Sequence, residues 1–477
     1  MSAIVEDSEF QGRRIAVIGM ERTGLAAAEV LQGLGADVVL SDRKDKDALG
    51  PSYRAAERLG VQLLPGTSPH TAIEGCSLVV PSPGVPRSAP VLQMARAAGI
   101  PILSEIEVAY RIARAPIVAV TGTNGKSTTV VWIGRMLEEA GIGTIVGGNI
   151  STGAIKLPLI EAARRADPTD VIVAEISSFQ LEWVQTFRPK VGVLTNVTLD
   201  HLDRHGSFAE YAACKARLFA AQRPDDTAVI NGINAPARLI GYRAPSRVLW
   251  FDRGYCFDAD GACVRDGILT VRLHGVEYAL VRADELRLPG THNIENALAA
   301  SAAALAMGAP PEAVREALLE FTGLDNRMEI VAEAHGVAFI NGSMTTNVHA
   351  AIRTLEAVDR PIVLIAGGSP KGESFERLGC AMARYVEHAV LIGRAAREIA
   401  EAAYEAGFTR ISFAGSMDEA VQEALVHARP GDAVLLAPAC ASHDMFRNFE
   451  ERGEAFRAAV QRVSAVDISP TAALDED

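Results

Sequence analysis

Residues Thr121 to Thr128 read Thr-Gly-Thr-Asn-Gly-Lys-Ser-Thr, a combination suited to holding a polyphosphate. A turn containing Gly122 and Gly125 exposes backbone N–H groups, and a helix starting at its end adds a positive dipole. Lys126 would reach the terminal phosphates, and the Ser127 hydroxyl would hold Mg2+. The hydrophobic run Pro116 to Val120 before the turn reads as a buried strand. Thr129 to Leu137 after it reads as a helix. That context points to a P-loop handling ATP or GTP. The strict pattern wants glycine at 120, where this chain has Val120.

Further reactive residues follow other strand-like runs. Glu175 ends Asp170 to Glu175 and is placed to hold a nucleotide's Mg2+, or else to cap a helix or lie on the surface as an ordinary acid. Asp200, His201, Asp203 and Arg204 fall within five residues, and His201 suits a second metal ion. Lys215 lies on a helix-like run and reads, from spacing alone, as a surface lysine. Ser369 to Gly372 and Ala437 to Phe449 each follow a strand, so Lys371 and Ser442 could bind a carboxylate. Turn chemistry and a helix cap at Ser442 are the alternative. Asp42 ends a second strand where a dinucleotide fold places a ribose-binding acid, or is an ordinary surface acid.

Strands must position these residues. Arg14 to Gly19, Ala36 to Asp42 and Ser77 to Pro81 alternate with helical runs, as do Thr144 to Asn149, Asp170 to Glu175 and Lys190 to Asn196. The rhythm restarts at Val337 to Ile340, Pro361 to Ala366, Ala389 to Ile392 and Ala433 to Ala437. Alternation of this kind predicts α/β domains with mostly parallel sheets and ligands at the strands' carboxyl ends. Arg247 to Leu288, with Asp260-Gly261 and Asp266-Gly267, predicts a small antiparallel patch. The expected division is a Rossmann-like domain over 1–104, a P-loop domain over 105–322 and a second Rossmann-like domain over 323–477. Gly19 to Gly24 is not a dinucleotide fingerprint, so an NAD enzyme is disfavoured.

The chain has 477 residues, is 49% hydrophobic and carries a formal charge of −13. That charge argues against a nucleic-acid surface. Six cysteines without metal-type spacing read as reduced, mostly buried thiols of a cytoplasmic protein. The acidic start is no signal peptide, no run reaches membrane-spanning length, and the last dozen residues read as a frayed acidic tail. A monomer is the default.

Thr121 to Thr128, Gly148-Asn149, Glu175 to Glu182, Asn196 to Thr198, Asp200 to Asp203, His292-Asn293 with Asn296, Asn326 to Glu329 and Ala437 to Gly453 together resemble the Mur ligase family. The likeness spans roughly Arg14 to Phe456. It implies an ATP-dependent amide ligase of peptidoglycan synthesis, joining D-glutamate to UDP-N-acetylmuramoyl-L-alanine. The alanyl carboxylate would take the γ-phosphoryl group of ATP, and the glutamate amine would displace phosphate. By the same resemblance, Gly122, Thr123, Asn124, Gly125, Lys126, Ser127, Thr128, Thr129, Asn296 and Arg327 would contact ATP. Ser127, Glu175, His201 and a carbamoylated Lys215 would serve Mg2+, with Lys126, Glu175, His201 and Lys215 as the catalytic set. Thr23, Ser41, Asp42, Arg43, Ser82 and Gly84 fall in the uridine-diphosphate region, with Asn149 and His201 towards the sugar or alanyl end. Thr346, Lys371, Ser442 and Phe449 fall on the glutamate pocket.

Three positions depart from the family pattern. Relatives usually have an acid and a lysine where this chain has Gly342 and Met344, and an Asp where it has Ser369. Losing both members of a charge pair costs far less than losing one. The rival readings are a family ligase using L-glutamate or another acceptor, and a non-catalytic ATP-binding relative. A GTPase switch lacks its base-reading N-K-x-D motif.

Overall fold

The computed structural model describes residues 9–150, 157–256, 258–288, 290–324, 326 and 328–465. Arg327 and the expected acidic tail lie outside them. The chain forms two compact units meeting at Phe321/Thr322.

The first unit holds two sheets. Strands β1 (Arg14–Ile18), β2 (Asp37–Asp42), β3 (Gln62–Pro65) and β4 (Leu78–Pro81) pair in parallel in the order β3-β2-β1-β4. The Ala-rich helix Arg22–Gly33 buries Ala27, Ala28, Val30 and Leu31; small side chains let a helix approach its neighbours closely. The second sheet contains β5 (Ile117–Thr121), β6 (Thr144–Gly148), β7 (Val171–Glu175), β8 (Val191–Leu194) and β9 (Thr227–Asn231). It continues through β10 (Arg247–Asp252), β11 (Gly261–Arg265), β12 (Ile268–Leu273) and β13 (Val276–Arg282). Its order is β13-β12-β11-β10-β9-β8-β5-β7-β6. Strand β5, buried at every residue, is flanked by β8 and β7. Chain connections leave β5 in opposite directions at such a point and open a crevice at its carboxyl end.

The expected antiparallel patch is narrower than the sequence suggested and is not separate. Strand β10 pairs in parallel with both β9 and β11, and only β11 to β13 are antiparallel. Asp266-Gly267 is a hairpin turn, with both φ angles positive (51° and 78°). The second hairpin turn is His274-Gly275. Asp260 instead accepts the backbone N–H groups of His274 and Gly275 at 2.8 and 3.0 Å. The expectation of six thiols also fails: Cys256 and Cys263 form a disulfide. The loop after β10 returns to its own neighbour β11 and brings them together.

The second unit holds β14 (Glu329–Ala334), β15 (Val337–Asn341), β16 (Ile362–Gly367), β17 (Val386–Ile392), β18 (Ile411–Ala414) and β19 (Ala433–Leu436). They are ordered β14-β15-β19-β16-β17-β18, parallel except at β14. Apolar clusters fill both of its faces, as a parallel sheet covered on two sides requires. No helix among the described residues is long and apolar enough to cross a membrane.

Candidate active site

At the end of β5 the chain turns through Gly122 (φ 153°) and Gly125 (φ 81°) into the helix Lys126–Glu139. Both glycines are required. A Cβ at Gly122 would strike the Thr195 hydroxyl, and one at Gly125 would strike the Asn296 amide. Gly125 occupies the helix N-cap, which has no side-chain cap, so the turn keeps the geometry of an anion cradle. Neighbouring side chains hold it in shape. Asn196 Oδ1 accepts from Asn124 N at 2.9 Å, and Thr195 Oγ1 donates to Asn124 O at 2.6 Å. Thr123 Oγ1 accepts from Thr198 N at 3.0 Å and meets the Tyr211 hydroxyl at 3.0 Å. Lys126 Nζ lies over the loop, donating to Thr123 O at 3.0 Å.

Glu175, at the end of β7, is buried. Ser127 Oγ donates to its Oε2 at 2.5 Å and Asn149 Nδ2 to its Oε1 at 3.0 Å. The cap alternative for Glu175 therefore gives way to a shared cluster of oxygen donors, a set that fits a hard cation such as Mg2+. Asn296 Oδ1 accepts from Thr129 Oγ1 at 3.4 Å, which fixes its helix Thr291–Ala306 beside the loop. Thr128 is buried in the helix's first turn.

Lys215 corrects the surface reading. It is only 1% exposed, because the helix Phe208–Ala216 turns it inward under the loop. Its Nζ donates to Gly122 O at 2.7 Å and lies 4.7 Å from the Tyr211 ring centroid. Burial, reinforced by Lys126, lowers its pKa to about 7, so the amine is partly neutral at physiological pH.

His201 stands on the adjoining loop in a left-handed conformation (φ 49°). Its side chain is 47% exposed, lies 3.5 Å from Asp200 Oδ2 and packs 4.9 Å from the Phe179 ring. Its described contacts do not include Glu175. Arg204, read only as part of the charged cluster, makes a bidentate pair with buried Glu182 at 2.9 and 2.8 Å. It also donates to Pro83 O and Val85 O at 3.3 and 2.8 Å, tying the loop after β4 to the P-loop sheet. Gly84 O receives a longer contact from Arg204 at 3.5 Å.

Around the first sheet, Asp42 accepts Met20 N and Lys44 N, each at 2.9 Å, so it fixes two strand-end loops rather than lying idle on the surface. Ser41 Oγ donates to Leu64 O and Ser82 Oγ to Gly19 O. Thr23 lies in the first turn of Arg22–Gly33, and Arg43 is exposed. Nearby, Glu105 is fully buried with Oε2 unpartnered, beside the unpartnered Ser104 hydroxyl and Trp183 indole N–H. They line a cavity of about 10 Å³, room for about one water. Burial pushes the Glu105 pKa up to about 7.

In the second unit, Lys371 Nζ donates to Thr346 Oγ1 at 3.3 Å. Ser442 is buried and half-buried Phe449 opens the last helix. Ser442 is not its cap: Asn448 Oδ1 accepts from Glu451 N at 2.8 Å, while Ser442 O closes a turn with Met445 N and Phe446 N. Ser369 Oγ accepts from Arg394 Nη2 at 2.9 Å. A Cβ at Gly342 would come within 2.6 Å of Leu436 O, so a side chain there would require the backbone to shift. Sequence reasoning missed Arg452, which is 1% exposed. It spends its donors on Ser343 Oγ, Ser343 O and Cys440 O at 3.0, 2.8 and 3.1 Å. Only its place inside the Ala437 to Gly453 motif marked it.

The sequence also matches known protein families. Residues 13–104 match a Mur ligase MurD-like N-terminal domain, 120–304 the Mur ligase middle domain and 326–440 a Mur ligase glutamate ligase domain. The chain is 47% identical over 452 residues to UDP-N-acetylmuramoylalanine--D-glutamate ligase of Pelotomaculum thermopropionicum, covering 95% of this chain and 98% of that one. Its counterpart in Thermoanaerobacter pseudethanolicus is 40% identical over 454 residues, covering 95% and 99%. Among solved structures, a pseudomurein peptide ligase type C from Methanothermus fervidus superposes with a TM-score of 0.53 at 19% identity, over 95% of this chain and 100% of that one. UDP-N-acetylmuramate-alanine ligase from Thermotoga maritima also gives 0.53 at 19% identity, over 94% and 100%. Those two likenesses speak to the fold, whereas the sequence relatives match almost end to end, and the chain belongs to the Mur ligase family.

Proposed function

We propose that this protein is an ATP-dependent ligase that joins D-glutamate to UDP-N-acetylmuramoyl-L-alanine in peptidoglycan synthesis, releasing ADP and phosphate. One observation carries the reading: a P-loop whose Ser127 bonds the buried Glu175, which also accepts from Asn149, with Lys126 over the loop and a partly neutral lysine beneath it. The names of the end-to-end relatives support the substrate pair.

Each residue has a task in this reading. The N–H groups of Gly122 to Thr129 and the Lys126 ammonium cradle the phosphates of ATP, with Asn296 and Arg327 towards its remaining part. Ser127, Glu175 and His201 would hold Mg2+, which would supply charge neutralisation at the phosphoryl group. Lys215 reacts as the neutral amine with CO2, losing a proton and gaining a carbamate, so that a buried cation becomes an anion facing the metal side. Thr23, Ser41, Asp42, Arg43, Ser82 and Gly84 take the uridine diphosphate, and Asn149 and His201 its alanyl end. Thr346, Lys371, Ser442 and Phe449 hold glutamate, Lys371 as a point charge for a carboxylate. Most of the rate gain comes from positioning and charge neutralisation. We assign these tasks to domains 1–104, 105–322 and 323–477, and read the chain as a cytoplasmic monomer with no nucleic-acid or membrane partner.

The test is ATP-dependent phosphate release with Mg2+ and UDP-N-acetylmuramoyl-L-alanine, adding D-glutamate, L-glutamate and other amino acids separately. Release with D-glutamate alone is the expected result. Release with another acceptor keeps the reaction and moves the substrate, with Gly342, Met344 and Ser369 as its origin. No release despite ATP binding rejects the ligase.

A further inference from the structure

Outside the candidate active site, His388, Glu423 and His427 bring three metal-ligating side chains together, with ligand atoms within 4.8 Å of one another. Glu423 and His427 stand four residues apart on the helix Met417–His427, a spacing that puts side chains on one face. Glu423 Oε1 and His427 Nε2 lie 3.2 Å apart. His388 comes from β17, and its ring lies against that of His427 with centroids 3.5 Å apart and planes 12° apart.

We propose that these three residues form a site for a divalent transition-metal ion of the zinc class, which would fasten the helix Met417–His427 to the sheet. Two imidazoles and one carboxylate are a common donor set for such ions, leaving a fourth position for water. Tetrahedral coordination at about 2.1 Å places ligand atoms roughly 3.4 Å apart. The present spacing therefore needs a closure of up to about 1.4 Å, through rotation of the His427 ring out of its stack. An outer partner is already in place. The Ser412 hydroxyl on β18 lies 2.5 Å from His388 Nε2 and also interacts with Glu423. Such outer contacts orient metal-binding histidines. Arg410, the neighbouring cation, is directed to the Val386 and Glu387 carbonyls. The imidazoles disfavour Mg2+, which prefers oxygen, so this site is separable from the P-loop by choice of ion.

The full chain, stripped with chelator and held in saturating Mg2+, is titrated with Co2+ while its visible d–d bands are recorded, and Zn2+ is then added as competitor. The expected result is one equivalent of Co2+ with tetrahedral-type bands, displaced by Zn2+, and Zn2+ raising the melting temperature. Either His388→Gln or His427→Gln should weaken binding about tenfold or more, with phosphate release unchanged for His427→Gln. Absence of the bands, or equal affinity in the double variant, overturns the site. Exposed His427 provides the test should His388→Gln fold poorly.

Discussion

The P-loop region and the loops at the carboxyl ends of β15, β16 and β19, which we propose hold ATP and glutamate, are built in different ways. Around the P-loop the backbone is fixed by neighbouring side chains: Asn196, Thr195, Tyr211 and Lys215 each grip a loop atom. Its geometry leaves no space for a Cβ at Gly122 or Gly125. The second unit instead contains charge replaced by neutral contact. Ser369 takes the Arg394 guanidinium, Gly342 packs on Leu436 O, and buried Arg452 rests on two carbonyls and a hydroxyl. Carbonyl oxygens can satisfy a guanidinium's donors without neutralising it, and burial lowers the Arg452 pKa to about 10. In the proposed reading, phosphate chemistry tolerates little change in backbone position, whereas amino-acid recognition can shift charge between partners.

Four measurements would break or sharpen that contrast. The largest effect belongs to Lys126→Ala, which should lower turnover in the phosphate-release assay by about a thousandfold or more; near-normal turnover would remove the loop from the chemistry. Lys215→Met should cost about a hundredfold, with wild-type activity falling below pH 7 as the ammonium form stops taking CO2. Stability gives a second sign. A lysine whose native pKa is lowered makes the unfolded chain bind more protons as pH falls from 10.5 towards 7, so wild type loses stability over that window. Lys215→Met should lack that loss in urea unfolding at paired pH values.

Glu105→Gln acts in the opposite sense. The native pKa of about 7 exceeds the ordinary carboxyl value of 4.5, so the native state holds its proton more tightly and wild type weakens as pH rises from 4.5 to 7. The variant should therefore be more stable than wild type at pH 8 by up to about 3 kcal/mol. Equal stabilities at pH 8 would mean the carboxylate is solvated in its cavity. The smallest effect is Ser369→Asp, which gives Arg394 a charged partner. It should change stability by less than about 1 kcal/mol and shift the glutamate KM by about fivefold or less.

Much of the fold was legible because buried parallel strands are short apolar runs ending in polar loops, as at Ile117–Thr121 and Val171–Glu175. The region from Arg247 to Arg282 was harder. Asp-Gly signals a tight turn but not which strands it joins, and β10 found parallel partners on both sides. Ser442 could have capped a helix by type, yet the helix starts seven residues later because Asn448 caps it. Arg452 escaped notice, and Arg204 was read only as one charge of a cluster, because local spacing does not distinguish a buried arginine from a solvated one.

The sequence by itself determined the P-loop, the alternating α/β rhythm and the residue types offered at each strand end. Those properties are local: glycine's freedom at φ 81° or the apolarity of a five-residue strand needs no distant partner. The tertiary structure decided which of these residues meet and in what medium. Lys215 became a buried amine with a pKa near neutrality, and Glu175 became the joint partner of Ser127 and Asn149. A side chain's charge state depends on desolvation and on neighbours brought from far along the chain, and only folding sets both.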